Sequence, residues 1–538
     1  MHEDFETAGA DSAIDTDICV IGGGAAGITA ARRLLALGHS VTLLESGGLD
    51  YEADTAALNQ GRIVGEDYYE LDHARLRFFG GTTAIWGGRV AQLDPIDLRR
   101  RPWVPHSGWP IGWDELSAYY GPARAAFGLA PSAPAPKALG DAGIALPEFS
   151  PGGLEIGLWT FDRRFNRFVF EACGDLVDHP RARIVTHATA TRIALHRDGR
   201  AVEAVKARAL TGHELTVKPR AVILAAGGLE NPRLLLASDD VHAGGLGNAH
   251  DQVGRYFMEH PHTRGGRVIG GGVWPLLKAF GRPHRIGGQE LAALVKPSEA
   301  MQAQEGILNT SLTIAARQPP DARQAWAMQA YGGLKHQTAP TKAGRALWMM
   351  TKRGATWAQR RADPFRPWLL NRLGLRDLAL VVRAEQAPNP DSRVVLTKER
   401  DALGLPRLAL DWRMSPIDRD SVAALVRGLG AELGRLGTGR VEPAAWLSEE
   451  DAGWQTDPLI SAHPIGGYHH MGTTRMSASP REGVVDADSR VHGIGNLYVA
   501  GSSVFPTSGW ANPTLTIVAL ALRAAEHLSA SVARPVTA

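Results

Sequence analysis

The chain has 538 residues, of which 44% are hydrophobic and 21% charged, with a formal net charge of +2. That length asks for at least two domains, the apolar fraction excludes global disorder, and the small charge argues against nucleic acid as a partner. Two cysteines, Cys19 and Cys173, exclude a disulfide framework and lack metal-ligand spacing, so no metal is expected.

The first 17 residues are acidic and polar, without the basic start and apolar stretch of a secretory signal. No uninterrupted apolar run reaches the about 20 residues that span a bilayer. A cytoplasmic protein is expected.

Residues 17–21 (DICVI) predict a buried parallel strand. It runs into Gly22-Gly23-Gly24-Ala25-Ala26-Gly27, a G-x-G-x-x-G turn, followed by the helical pattern ITAARRLLALG, which stops at Gly38. A second strand, SVTLLE, ends on Glu45, 18 positions after Gly27. Strand, glycine turn, helix, strand and acid together form a dinucleotide-binding fingerprint. Gly22 makes the tight turn, Gly24 lets a pyrophosphate approach the helix N-terminus, Gly27 lets helix and strand pack closely, and Glu45 suits a ribose hydroxyl.

Further on, RPWVPHSGWPIGWDE carries Trp103, Trp109 and Trp113, which suit either carbohydrate stacking or structural packing. Residues 221–228 (AVILAAGG) are a strand ending in a small-residue turn, after which LENPRLLLAS opens a helix. Two such turns some 200 residues apart point to an extended dinucleotide held by distant parts of the chain, which favours FAD over NAD. Between residues 335 and 376 there are ten Lys or Arg against one acid, Asp363, interleaved with Trp348, Trp357 and Trp368. This basic segment reads as a surface for an anionic membrane or a partner, or as a solvated insertion or oligomer contact.

Chemistry concentrates near the C-terminus. His463, His469 and His470 lie in SAHPIGGYHHMGTTRMS, ahead of a strand (NLYVAG), a loop (SSVFPTSGWANP) and a helix whose first turn holds Pro513. Histidine suits a base for a hydroxyl proton, and Asn512 can hydrogen-bond the same oxygen. Adjacent side chains in an extended segment point to opposite faces, so only one of His469 and His470 should reach a substrate. Neither a G-x-S-x-G elbow nor H-E-x-x-H is present.

These segments, with FFGGTTAIWGGRV at 78–90, VILAAGGLENPRLLL, VGRYFMEHPH, PNPDSRVVL, HHMGTTRM and VAGSSVFPTSGWANPTLTI, resemble the glucose–methanol–choline (GMC) oxidoreductases in family order over nearly the whole chain. The resemblance implies FAD-dependent oxidation of an alcohol. Gly22, Gly24, Gly27 and Glu45 would hold the ADP half of FAD, and Gly80, Gly81, Thr82, Thr83 and Trp86 would lie along the flavin and pyrophosphate. Gly501, Asn512, Pro513 and Thr514 would complete the cofactor site. In the family the catalytic histidine stands three places before the glycine of HxxGT, here Gly472, which selects His469 rather than His470. Asn512 falls on the second catalytic position. His469 would accept the hydroxyl proton while the substrate C–H delivers hydride to flavin N5.

Ile85 stands where some members carry a flavin-linking histidine, so FAD is expected to be non-covalent. His470 and Trp510 are expected beside the substrate, Trp510 either narrowing the pocket, stacking on a sugar ring or packing. The C-terminal motifs look most similar to the bacterial sugar-oxidising branch, with pyranose oxidase-like and glycoside 3-oxidase-like enzymes. The implied reaction is oxidation of a sugar or glycoside secondary hydroxyl to a ketone, with O2, a quinone or a redox protein as electron acceptor. A primary or aromatic alcohol oxidase and an FAD-containing lyase are the alternatives. The expected fold is an α/β FAD domain of Rossmann type (residues 1–95, 160–260 and 455–538) with an α+β substrate domain (261–454) built on an antiparallel sheet that includes DSRVVLTKE. Residues 96–159, with PSAPAP at 131–136, are expected to be a connecting or lid segment.

Overall fold

The run DICVI lies in a strand, Ser12–Ile21, whose Ile18, Cys19 and Val20 are fully buried, as a strand covered on both faces requires. The structure is a computed structural model describing residues 1–7, 12–164, 167–320, 341–449 and 453–533. Ser12–Ile21 pairs in parallel with Val41–Leu44 on one side and Glu214–Leu224 on the other. Ala182–Thr186 and His2–Asp4 extend the first side. The long strand Glu214–Leu224 divides its remaining edge. Its start pairs antiparallel with Val202–Arg208, followed by Thr189–Leu195, and its end pairs in parallel with Leu497–Val499.

The register positions the site. Ile21 lies opposite Leu44 and Leu224, and Leu224 lies opposite Val499. The next residues of all four strands, Gly22, Glu45, Ala225 and Ala500, therefore emerge together at the carboxyl edge of the sheet, where open α/β sheets bind ligands.

A second sheet is antiparallel, in the order Arg440–Pro443, His262–Ile269, Asp377–Arg383, Ser311–Arg317, Gln289–Pro297, Leu154–Phe161 and Arg89–Val90, with His284–Ile286 on Gln289–Pro297. Helix Pro416–Arg435 covers it, burying Val422, Leu425, Val426, Leu429 and Leu433 in its core. The fold is thus an α/β domain of Rossmann type joined to a domain built on an antiparallel sheet, the architecture expected.

Three boundaries differ from expectation. Residues 96–159 are not a lid: helix Trp113–Ala126 packs on the C-terminal helix, with Leu116, Tyr120 and Ala123 in the nucleotide-domain core, and Leu154–Phe161 is a strand of the antiparallel sheet. Arg89–Val90, placed in the FAD domain, joins that same sheet. DSRVVLTKE is not in it. Arg393–Arg400 pairs with Pro406–Asp411, which pairs in parallel with Gly61–Ile63, making a separate three-stranded sheet from segments over 300 residues apart. Among the described residues one helical stretch, Thr514–Val532, is long and apolar enough to cross a membrane, although Arg523 and Glu526 interrupt its apolar run. Its Leu515, Val518, Leu520 and Leu528 are buried in the core, where the helix packs on Ala25–Ala36 and Trp113–Ala126.

Candidate active site

The carboxyl edge of the first sheet opens into one cavity of about 840 Å³ that runs on to the antiparallel sheet. Its nucleotide end is lined by Gly22, Gly24, Glu45, Ser46, Ala188 and Ala190. Gly22 takes φ +107°, and a Cβ there would meet the Ala225 carbonyl oxygen at 2.6 Å, so the two strand-to-helix turns abut. A Cβ on Gly24 would meet nothing within 4 Å, and no side chain caps helix Ala25–Ala36, whose first N–H groups suit an anion. Glu45 Oε2 accepts the Gly23 N–H at 2.7 Å and Oε1 the Gly47 N–H at 3.0 Å; burial raises its carboxyl above the usual range against these bonds. Open space at an uncapped helix N-terminus, with a carboxylate on the following strand, fits the ADP half of FAD.

Of the other residues expected to hold the cofactor, Gly80, Gly81, Thr82, Thr83, Trp86, Gly501, Asn512, Pro513 and Thr514 all line this cavity. Gly27 does not. It packs against Gly22, where a Cβ would lie 1.9 Å from the carbonyl oxygen.

At the far end the segment Gly466–His470 is pinned by a buried carboxylate, Glu259. It accepts the N–H groups of Gly467 (3.1 Å) and His469 (2.9 Å) and the Tyr68 hydroxyl (2.6 Å). Tyr468 sits in the left-handed region at φ +60°, and His469 and His470 both line the cavity while bonding different partners. His470 Nε2 lies 3.0 Å from the Tyr68 hydroxyl and its imidazole is pushed down to about 3 by burial and Arg75.

His469 faces Asn512 and His260, and the hydrogen bonds fix its tautomer. His260 Nε2 lies 2.7 Å from the Gly509 carbonyl, which can only accept, so that nitrogen carries the proton. Burial pushes His260 down to about 4, so it is neutral and its Nδ1 is an acceptor. His469 Nδ1, 2.8 Å away, must donate to it. His469 Nε2 is left with a lone pair toward the cavity, where Asn512 Nδ2 donates at 3.3 Å. Burial foremost, then His260, His262, His470 and Arg383, holds the His469 imidazole well below its ordinary value. A neutral imidazole whose acceptor nitrogen faces the cavity beside an amide donor can take a proton from a hydroxyl that the amide orients.

His260 lies in VGRYFMEHPH, but nothing in its own segment marks it as the partner of a histidine 209 positions away. It is a positioning residue. His260→Leu should slow flavin reduction roughly 10–100-fold, the range seen when groups orienting a functional histidine are lost. His260→Gln, which keeps a donor and an acceptor, should recover part of the rate. Equal rates for both variants would show that the ring only fills space.

Trp510 stands apart from the site. It is buried outside the cavity wall, its indole N–H donates to Asp94 Oδ2 at 2.7 Å, and it meets Trp159 edge-on at 6.1 Å, so it packs rather than stacking on substrate. The other tryptophans offered for stacking are also structural. Trp103 donates to the Ile307 carbonyl, Trp109 to Thr507, and Trp113 packs on Tyr120.

Two families match this chain. Residues 388–521 match the family described as GMC oxidoreductase, and residues 17–243 match FAD dependent oxidoreductase. The chain is 25% identical to 2-methyl-1,2-propanediol dehydrogenase of Mycolicibacterium austroafricanum over 96% of both chains. It is 34% identical to C-glycoside 3-oxidase of Microbacterium trichothecenolyticum over 31% of this chain and 28% of the relative. Among solved structures it resembles pyridoxine 4-oxidase from Mesorbium loti, with a TM-score of 0.55 and 17% identity over 95% of this chain and 98% of the other.

Proposed function

Since the chain belongs to the GMC oxidoreductases and is an FAD-dependent enzyme acting on CH–OH groups, we propose that it oxidises a secondary hydroxyl of a sugar or glycoside to a ketone. The observation that carries the chemistry is the fixed tautomer of His469, whose Nε2 shares the cavity with Asn512. The local similarity to a C-glycoside 3-oxidase supports the sugar. When bound, FAD supplies the hydride acceptor. The chain's own part is to hold the hydroxyl between the Asn512 amide and His469 Nε2, to take its proton there, and to keep His469 Nδ1 on His260. O2, a quinone or a redox protein would take the electrons afterwards.

Anaerobic titration of the holoenzyme with monosaccharides, glycosides and simple alcohols tests this. Bleaching of the flavin by one sugar class is expected. Bleaching by primary or aromatic alcohols alone would replace the sugar, and cleavage products with a flavin that stays oxidised would make the protein a lyase.

FAD is proposed to be non-covalent, because Ile85, at the wall of the cavity, offers no nucleophile. Acid precipitation should leave all flavin in the supernatant, and flavin retained in the pellet would overturn this.

For the basic segment 335–376 we infer contact with an anionic membrane or a partner. Lys335 and the Arg360 side chain lie outside the described residues. Helices Lys342–Ala362 and Phe365–Arg372 expose Leu347, Met350, Trp357, Phe365 and Leu369 beside Arg353, Arg361, Arg366 and Arg372. Trp348 is buried and Lys352 lines the cavity, so those two do not belong to this surface. Native protein that ignores anionic liposomes would remove the membrane from this reading, whereas binding lost on neutralising Arg353 and Arg361 would support it.

A further inference from the structure

The chamber in front of His469 is bounded by one face of the antiparallel sheet. Side chains alternate along a strand, and residues directly opposite on antiparallel strands share a face. Arg383 lies opposite both His262 and Ser311, and Arg317 follows Ser311 by an even number of positions, so all share one face. Arg89 lies opposite Phe161, two positions from Trp159. The guanidinium groups of Arg89 and Arg383 both lie over the Trp159 ring, at 5.1 and 5.2 Å from its centroid. Arg89, Arg317, Arg383 and His262 line the cavity together with His469.

Among the described residues no carboxylate pairs with Arg89, Arg317 or Arg383. Among the described residues, Arg89 and Arg383 make no hydrogen bond or ion pair through their side chains, and Arg89 Nε and Arg383 Nη1 are buried without a partner. Arg317 donates to two backbone carbonyls, of Ile460 at 2.7 Å and Ala316 at 2.9 Å. Carboxylates of the surrounding elements are engaged elsewhere: Asp457 with Arg264, Asp162 with Arg167 and Glu290 with Arg163. Lys352, from helix Lys342–Ala362, adds a fourth cation to the wall. Burial pushes Arg89 and Arg317 down to about 10, and it lowers Arg383 further with help from the other two. Clustered guanidinium groups out of water are costly unless something supplies the opposite charge. The uncapped helix start at Gly22–Gly24, which would hold the pyrophosphate of FAD, lines the nucleotide end of the cavity, whereas the arginines line it together with His262 and His469.

We propose that the alcohol this enzyme oxidises is an anion, carrying a carboxylate or phosphate group that Arg89 and Arg383 grip while its hydroxyl meets His469. The proposal rests on the alcohol-oxidising reading for its hydroxyl but not for its anion site. Guanidinium forks match both oxyanions, and the Trp159 ring lies under the guanidinium groups of Arg89 and Arg383.

Two measurements on FAD-saturated holoenzyme test it. In the first, inorganic phosphate and acetate are added without any alcohol and the melting midpoint is followed. A saturable rise is expected in the native protein and should be lost in Arg89→Gln and Arg383→Gln. Without anion, these variants should melt no lower than native, because each removes an uncompensated charge. In the second, flavin reduction is compared for glucose, glucuronate and glucose 6-phosphate. The anionic sugar should have a KM lower by about tenfold or more, the worth of one charged hydrogen bond, and the advantage should vanish in Arg383→Gln. Preference for glucuronate or for glucose 6-phosphate names the oxyanion. Anions without effect on melting, or glucose reducing the flavin as well as its charged counterparts, would overturn the proposal. A flavin that no alcohol bleaches, with the phosphate shift intact, would overturn the oxidation reading and leave the anion site standing.

Discussion

His469→Ala should slow flavin reduction by about 10²–10⁴-fold, the usual contribution of a positioned general base. That corresponds to on the order of 3–5 kcal/mol of barrier. The size of the effect follows from the geometry. His469 Nε2 is the acceptor at the cavity end of the Gly509–His260–His469 chain, beside the Asn512 amide that would hold the same hydroxyl. His470→Ala should be much milder, since the Nε2 of that ring is engaged with the Tyr68 hydroxyl. Because burial and neighbouring rings hold His469 well below its ordinary value, it stays neutral through neutral pH. The native reduction rate should therefore be flat around pH 7 and fall only in acid, as the imidazole becomes protonated. Stopped-flow reduction across pH checks both statements. A His469→Ala rate within a few-fold of native would move the base elsewhere, and a rate falling already between pH 8 and 7 would contradict the depressed imidazole.

Gly27→Ala should yield a protein that purifies with little or no flavin. The added Cβ would lie 1.9 Å from the Gly22 carbonyl oxygen and 3.2 Å from Val20 Cγ1, inside the contact between strand Ser12–Ile21 and helix Ala25–Ala36. A backbone oxygen cannot rotate away as a side chain can, so the helix has to move off the strand. Overpacking of this kind costs about 1–3 kcal/mol or more. It also shifts the uncapped N–H groups at Gly24 away from where a pyrophosphate sits. The ratio of flavin to protein absorbance reads the result. Gly434→Ala is the control, because that glycine lies inside helix Pro416–Arg435 with nothing within 4 Å of its added Cβ. It should keep its flavin and gain about 0.5–1 kcal/mol of stability. Full flavin content in Gly27→Ala would show that helix and strand tolerate separation.

The nucleotide end was legible because everything that defines it is local. Strand, turn, helix and acid lie between Asp17 and Glu45, and their meaning depends on backbone conformations that each short segment adopts by itself. The second turn at 225–228 was legible for the same reason, and strand pairing then set it against Gly22. His469 and Asn512 could be singled out by motif and residue type, but not placed together, since 43 positions separate them.

What the sequence determined by itself is therefore a dinucleotide fold with an imidazole and an amide suited to alcohol chemistry. Tertiary structure decided the rest. The lone pair of His469 is aimed by a ring 209 positions away, Trp510 is turned from the substrate by its bond to Asp94, and DSRVVLTKE is drawn out of the large sheet by a strand at 61–63. The arginines at 89, 317 and 383 look in sequence like ordinary charged residues. Only the register of separate strands brings them to one face, and only burial removes the water that would otherwise satisfy them. The reason is common to all four cases. Periodicity and propensity act over a few residues, whereas the protonation of a buried histidine or the field of clustered arginines depends on groups that chain folding brings from far away, into surroundings where water no longer screens them.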